Sequence, residues 1–322
     1  MIQASLVRFS QLKNMQRKVH FFSPVYRDLP SFLQLREKIL SLLPKEFSAN
    51  FHLLDDSAGE DLSLRELALT DVTVFPMPFN LGHQRALVYG LRCFLSKLND
   101  PVIVVTMDAD GEDRPEDLTA LLQCFMKNEA TRPLVLARRT KRKESLFFKI
   151  FYSLYKKVFR ALTGTVIQTG NYAVLHSEAI SRIIFHPYFD LAYASTLLSI
   201  GTNLHFVPCP RGSRYEGRSK MNFSRLAIHG VRMLMPFMDK IAIRGVVFFS
   251  LLFALSAFGM IGVAAARMLD LFSVPNWILL ASILALALSF LAVCNFAILI
   301  TIFTNVQGVA MSRLENLDRE TS

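Results

Sequence analysis

The chain has 322 residues, is 52% hydrophobic and carries a formal net charge of +10. That length and apolar content suffice to bury a sizeable core and allow more than one domain. The four cysteines, Cys93, Cys124, Cys209 and Cys294, have no paired spacing. This argues against a zinc site or a disulfide framework and fits a reducing compartment.

Residues 1–18 are basic without a sustained apolar core, and read as a short tail or amphipathic lead-in rather than a signal peptide. "KVHFFSPVY" then reads as a buried strand, and "PSFLQLREKILSLL" as a helix opened by proline. "NFHLLDDSAGED" is a second strand ending in acid and glycine, and "DVTVFPMPFN" a third. "GHQRALVYGLRCFLSKL" has helical spacing, and "PVIVVTMDAD" is the most apolar strand. "RPEDLTALLQCFMKN" carries proline and acids in its first turn, as helices prefer, and "PLVLARR" is a fifth strand. This alternation predicts an α/β domain over 19–222 with a largely parallel sheet. Ligands bind beyond the carboxyl ends of such strands, so Asp55, Asp56, Asp108 and Asp110 are expected on one edge.

From Arg139 onward the chain is basic and aromatic. Phe147, Phe151, Leu154, Tyr155, Val158 and Phe159 recur at helical spacing among lysines, which suits either a membrane surface or packing on the sheet. A second amphipathic helix is predicted over 223–243. Two runs, about 246–266 and 277–303, contain no charged residue, and both exceed the length that marks a transmembrane helix. They form a hairpin with a short link. Lys240, Arg244, Arg313 and Arg319 flank its outer ends, so the positive-inside rule places the large domain and the 305–322 tail in the cytoplasm. With two spans present, the basic surplus points to anionic lipid and a phosphorylated substrate rather than nucleic acid.

In "MDADGEDRPED", six acidic residues fall within ten positions, from Asp108 to Asp117. Two carboxylates at a strand end suit a hard divalent cation, magnesium or manganese, which prefers oxygen ligands and removes their repulsion. A nucleoside diphosphate needs such a cation as it departs. An Asp-x-Asp alone is also common in ordinary loops. "LLDDSAGED" adds a second acidic strand end, suited to a base or ribose. "ARRTKRKES" and "RGSRYEGRSKM" add basic clusters, and arginine binds phosphate through its planar fork.

Taken in order, "SPVYRD", "LLDDSAGED", "NLGHQRALVYGL", "MDADGEDRPED", "RRTKRKES", "TGNYAVL" and "RYEGRSK" resemble glycosyltransferase family 2. More narrowly, they resemble its polyprenyl-phosphate glycosyltransferases, the dolichol-phosphate mannose synthase-like group. The likeness runs from about Val19 through the C-terminal spans. It implies a GT-A (Rossmann-like) fold, an inverting transfer and a divalent cation.

The resemblance assigns Asp108 and Asp110 to the metal; Glu112 joins them as an expected ligand through its own charge, and Asp113 stands beside them in the catalytic motif. Pro24, Tyr26, Asp28, Asp55, Asp56, Gly82 and Asp108 face the nucleotide-sugar. Arg139, Arg142, Ser145, Arg214, Ser219 and Lys220 hold the lipid phosphate, with Gly217 in the closing motif. Arg27-Asp28 stands where the family usually has Asn-Glu, and Glu112 stands where it usually has glutamine. Asn171 replaces an aspartate often found there.

The implied reaction moves a UDP- or GDP-linked sugar to undecaprenyl or dolichyl phosphate at a bacterial inner membrane, for cell-envelope glycan or lipid modification. A homo-oligomer is compatible with the chain. Two other readings stand beside it. One is a family 2 enzyme with a hydroxyl acceptor, in which Asp113 or Glu112 acts as base. The other is a non-catalytic scaffold on a degenerate transferase domain.

Overall fold

The computed structural model describes residues 16–140, 146–200, 202–215, 223–269 and 275–321; the side chains at 146–151, 223–226 and 303–321 lie outside the description. The chain divides into two units, Met1–Ser153 with Val166–Met233 and Leu154–Thr165 with Leu234–Ser322.

The first unit is built on a seven-stranded sheet. Its strands are β1 (Arg17–Val25), β2 (Phe47–Asp55), β3 (Val72–Pro76), β4 (Ile103–Thr106), β5 (Leu134–Arg139), β6 (Thr169–His176) and β7 (Leu204–Cys209), in the order β3-β2-β1-β4-β6-β5-β7. The helices are α1 (Leu29–Leu42), α2 (Leu62–Arg65), α3 (His83–Leu95), α4 (Leu118–Asn128), α5 (Leu146–Thr163, which runs into the second unit), α6 (Ser177–Ser181), α7 (Tyr193–Ile200) and α8 (Phe223–Arg232).

Side chains alternate across β1. Val19 and Phe21 join a core with Phe32, Leu35 and Ile39 of α1 and Leu118, Leu121, Leu122 and Phe125 of α4. The spacing of those helical residues makes one apolar stripe on each helix. His20 and Phe22 point to the other face and meet the Phe94 ring of α3, the first tilted and the second edge-on. There Gly90 lets α3 approach closely, since a Cβ would lie 2.3 Å from Leu54 Cδ2. All four β4 residues are buried, which explains its unbroken apolar sequence.

The five expected strands are present, but the sheet is mixed. β1 pairs in parallel with β2 and β4, and β5 with β7, whereas β6 runs antiparallel to both β4 and β5. β6 and β7 were not expected as strands. This reversal positions the site. β6 begins at the edge where β1, β2, β4, β5 and β7 end, so Gly170 and Asn171 arrive beside Asp108 and Arg139.

In the second unit, α9 (Met238–Met268) and α10 (Asn276–Thr321) contain the two expected spans. Phe249 stacks on Phe296 at 5.6 Å, and Phe253 meets Phe290 at 6.0 Å. Gly245 sits under this seam, where a Cβ would lie 2.4 Å from the Phe296 ring. Leu251, Leu255 and Phe258 are exposed, as side chains facing lipid would be. Both helices are long and apolar enough to cross a membrane. The surface helix expected over 223–243 is not continuous. It stops at Arg232, and a 3-10 turn, Met235–Phe237, precedes α9. Pro236 has no N–H to donate to a continuing helix, and residues 238–243 belong to α9 instead.

Candidate active site

Three strand ends carry the acidic groups. After β1, Tyr26 is exposed and Arg27 adopts φ 51, in the left-handed region. Arg27 pairs with Glu60 at 2.9 Å. Asp28 precedes the first turn of α1 without capping it, and Pro24 lies beside Leu54 in the β1–β2 register.

At the end of β2, the two aspartates serve the loops around them. Asp55 Oδ1 accepts from the Ser57 amide at 2.9 Å and the Ser57 hydroxyl at 2.6 Å, and its Oδ2 accepts from the Gly59 amide at 3.0 Å. Asp56 accepts from the Leu81 amide at 2.7 Å and the Gly82 amide at 3.0 Å. Burial raises the Asp56 pKa, and those two amides oppose the rise. Asp56 therefore links the β2 turn to the Gly82 turn, and Gly82 itself has φ 78. These carboxylates shape the edge through the amides of Ser57, Gly59, Leu81 and Gly82.

β4 supplies the densest group. Thr106 is anchored by hydrogen bonds with the Asn171 carbonyl at 2.6 Å and the Tyr193 hydroxyl at 2.8 Å. The next turns carry Asp108, Asp110, Glu112 and Asp113. Asn171 Nδ2 donates to Asp108 Oδ1 at 3.1 Å. Asp110 Oδ1 accepts the Glu112 amide at 3.0 Å, and its Oδ2 faces Arg214 Nη2 at 3.1 Å. Burial raises the Asp110 pKa, and the Asp108 charge adds to it.

Glu112 pairs with both Arg211 and Arg214. Burial alone would raise its pKa, but the Arg211 hydrogen bond and the two guanidinium charges outweigh it and hold the carboxyl below its ordinary value. Asp113 is only 4% exposed. Its carboxylate accepts the Asp108 amide at 3.0 Å and faces Arg139 Nη2 at 3.4 Å. Burial and the Asp108 charge push its pKa up to about 7.

Among the described residues, no three His, Cys, Asp or Glu side chains are gathered to hold a metal ion. Glu112, expected as a ligand, is instead committed to two arginines. Its oxygens face guanidinium groups, which leaves Asp108 and Asp110 as the two expected ligands that no two arginines clamp. That pair fits a hard cation: both donors are oxygen, and the repulsion that raises Asp110 is what a cation would relieve. Asp113, expected in the catalytic motif, is buried, accepts the Asp108 amide and pairs with Arg139.

Arg139 and Arg214 lie at this edge, where each faces carboxylate. Arg139 lies across Gly170, where a Cβ would be 2.5 Å from its guanidinium. A narrow crevice lined by Glu112, Asp113, Arg139, Gly170, Tyr172 and Arg211 opens here. Arg142, Ser145, Gly217, Ser219 and Lys220 lie outside the described residues. Asn171 and Arg211 are the site residues that sequence reasoning undervalued. Asn171 read only as a lost carboxylate, and Arg211 only as one charge in a basic run. The one available signal was that both depart from, or lie beside, matched motifs.

Residues 24–184 match the family described as glycosyl transferase family 2. Among curated relatives, the chain is 25% identical over 223 residues to undecaprenyl-phosphate 4-deoxy-4-formamido-L-arabinose transferase of Klebsiella pneumoniae (strain 342), covering 65% of this chain and 64% of that protein. The chain thus spans about 64% of the length of that relative. It is 24% identical over 252 residues to glycosyltransferase YkoT of Bacillus subtilis (strain 168), covering 73% of this chain and 71% of that one. Among solved structures, glucosyl-3-phosphoglycerate synthase from Mycobacterium tuberculosis, in complex with Mn2+, UDP-glucose and phosphoglyceric acid, is similar at 15% identity. The TM-score is 0.49, with 70% of this chain and 80% of that chain covered. The family match spans half of the chain and runs from the end of β1 through β6, with the acidic ends of β2 and β4: the chain belongs to glycosyl transferase family 2.

Proposed function

We propose that the protein is a membrane-anchored, inverting glycosyltransferase that moves a sugar from a nucleotide-sugar to a polyprenyl phosphate. One observation carries this reading most. Asp108 and Asp110 share one sheet edge with Arg139, Arg211 and Arg214, and Glu112 and Asp113, the two candidate bases, are both paired with arginine.

A divalent magnesium or manganese ion held by Asp108 and Asp110 would supply positive charge to the donor's diphosphate. The chain's own residues do the rest. Asp55 and Asp56 hold the loops against which the nucleoside rests. Arg214 neutralises charge building on the departing nucleoside diphosphate. Arg139 orients the acceptor phosphate, supported from behind by Asp113. A phosphate oxygen attacks the anomeric carbon from the face opposite the leaving group. The new carbon–oxygen bond forms as the bond to the nucleoside diphosphate breaks, and the electron pair leaves with that diphosphate.

The acceptor is already ionised near neutral pH and needs no base. A hydroxyl acceptor would have to surrender a proton. Asp113 is buried against Arg139, Glu112 is paired with two arginines, and position 171 carries an amide. The two apolar helices would anchor the chain at the surface where a polyprenyl phosphate resides. The arginine-flanked hairpin supports a cytoplasmic catalytic domain at a bacterial inner membrane.

The experiment is a transfer assay with UDP- and GDP-sugars, comparing a short polyprenyl phosphate with the corresponding polyprenol. Sugar transfer to the phosphate is expected. Transfer to the alcohol alone would overturn this reading in favour of the hydroxyl-acceptor one.

A further inference from the structure

Two loops meet at the acidic edge, and the contact is built from backbone as well as charge. The Gly212 amide donates to the Glu112 carbonyl at 2.9 Å, and the Tyr215 amide donates to the Asp110 carbonyl at 2.8 Å. Above these bonds, Glu112 Oε1 accepts from Arg214 Nε at 3.1 Å, and Glu112 Oε2 pairs with Arg211. Arg214 Nη2 also reaches Asp110 Oδ2 at 3.1 Å.

The approach is so close that both chains need glycine. A Cβ on Gly212 would lie 2.3 Å from the Gly111 carbonyl oxygen, and a Cβ on Gly111 would lie 2.8 Å from the Tyr215 ring. Gly111 also adopts φ 87, which L side chains rarely take. The segment 210–215 is therefore fitted to the 110–112 turn, not merely drawn toward it by charge.

We infer that Glu112 is a positioning residue that clamps Arg211 and Arg214 over the Asp108–Asp110 edge and keeps Arg214 there when Asp110 turns to a cation. This rests on the donor role proposed for that edge. A cation on Asp110 would set its positive charge against that of Arg214 at Oδ2. With Glu112 present, Arg214 gives up one carboxylate and stays held by the other through Nε. Its Nη2 is then turned toward diphosphate oxygens at the same edge. Without the Glu112 charge, Arg214 has Asp110 alone of these two carboxylates, and guanidinium and cation compete directly for it. Glutamine at this position would fill the same space but would not hold two guanidinium groups, because charge-assisted hydrogen bonds are about twice as strong as neutral ones.

The full-length protein in detergent is the material for the test. Hydrogen exchange of the peptide covering 210–215 is measured without ligand, and Mn2+ binding is measured by titration with electron paramagnetic resonance. Glu112→Gln is expected to speed exchange of the Gly212 and Tyr215 amides and to weaken Mn2+ binding, each about tenfold, the equivalent of one lost charged hydrogen bond. Glu112→Asp should restore part of both. Gly212→Ala leaves every charge in place and should speed the same amides, which guards against a folding defect in the first variant. Exchange and Mn2+ binding in Glu112→Gln equal to those of the unaltered protein would overturn the clamp. Failure of the unaltered protein to bind Mn2+ or a nucleoside diphosphate would instead contradict the proposed donor role, while the exchange data still judge the clamp.

Discussion

Asn171 Nδ2 donates a 3.1 Å hydrogen bond to Asp108 Oδ1, so the first carboxylate of the acidic motif is met by an amide from the antiparallel strand β6. A carboxylate at 171 would set two like charges at that distance. Asn171→Asp is therefore expected to lower the melting temperature in the absence of divalent cation and to recover it when Mn2+ is added. The check is a thermal melt with and without Mn2+. An Asn171→Asp protein as stable as the unaltered one in chelator would contradict this account of the contact.

Two histidines are expected to make the sheet sensitive to acid. His20 Nδ1 and His52 Nε2 lie 2.9 Å apart among Phe22, Phe75 and Phe94. Burial first, then a neighbouring positive charge, lowers their pKa values to about 4 for His20 and about 3 for His52. Both folded values lie below the ordinary 6.5, so the folded state favours neutral rings. Their contribution is present above pH 6.5 and is lost as pH falls through that value toward 3. His52→Phe, an apolar ring among apolar rings, should flatten stability against pH between 6.5 and 4. An unchanged slope would remove these histidines from the explanation.

Gly170 gives Arg139 its place. A Cβ there would strike the flexible end of the arginine, so Gly170→Ala should barely alter the melting temperature while pushing the guanidinium away from Asp113. Steady-state kinetics should show a higher KM for polyprenyl phosphate, by about tenfold if one charged contact is lost. A change confined to the donor KM would show that Arg139 serves the other substrate.

Gly245 is the close-approach point of the two apolar helices. Gly245→Leu would drive a side chain into Phe296 and should destabilise the helical hairpin by about 1–3 kcal/mol, the usual range for overpacking. Unfolding in detergent or lipid nanodiscs measures this, and a neutral result would mean the seam can relax elsewhere.

The acid burst after β4 was readable because charge crowding follows an entirely buried strand, and that pattern needs no tertiary information. The spans were readable for a similar reason, since length without charge is a local property. β6 was hidden inside "TGNYAVL", which has no distinguishing period, and its antiparallel direction depends on partners far along the chain. β7 was hidden because its burial alternates weakly at the sheet edge. The arginine partners of Glu112 were hidden for a related reason. Its carboxylate suggests a cation, but its partners lie about one hundred residues away, at Arg211 and Arg214. Pairing across that distance is decided by the fold and not by local spacing.

The most direct test of the central claim is transfer of labelled sugar from a nucleotide-sugar to a short polyprenyl phosphate, with Asp110→Asn run in parallel. The account predicts a lipid-phosphate-linked sugar with the unaltered protein, and a rate lower by about a hundredfold or more when one of the two edge carboxylates is lost. Equal transfer by Asp110→Asn, or no transfer to any polyprenyl phosphate while polyprenol is glycosylated, would contradict it.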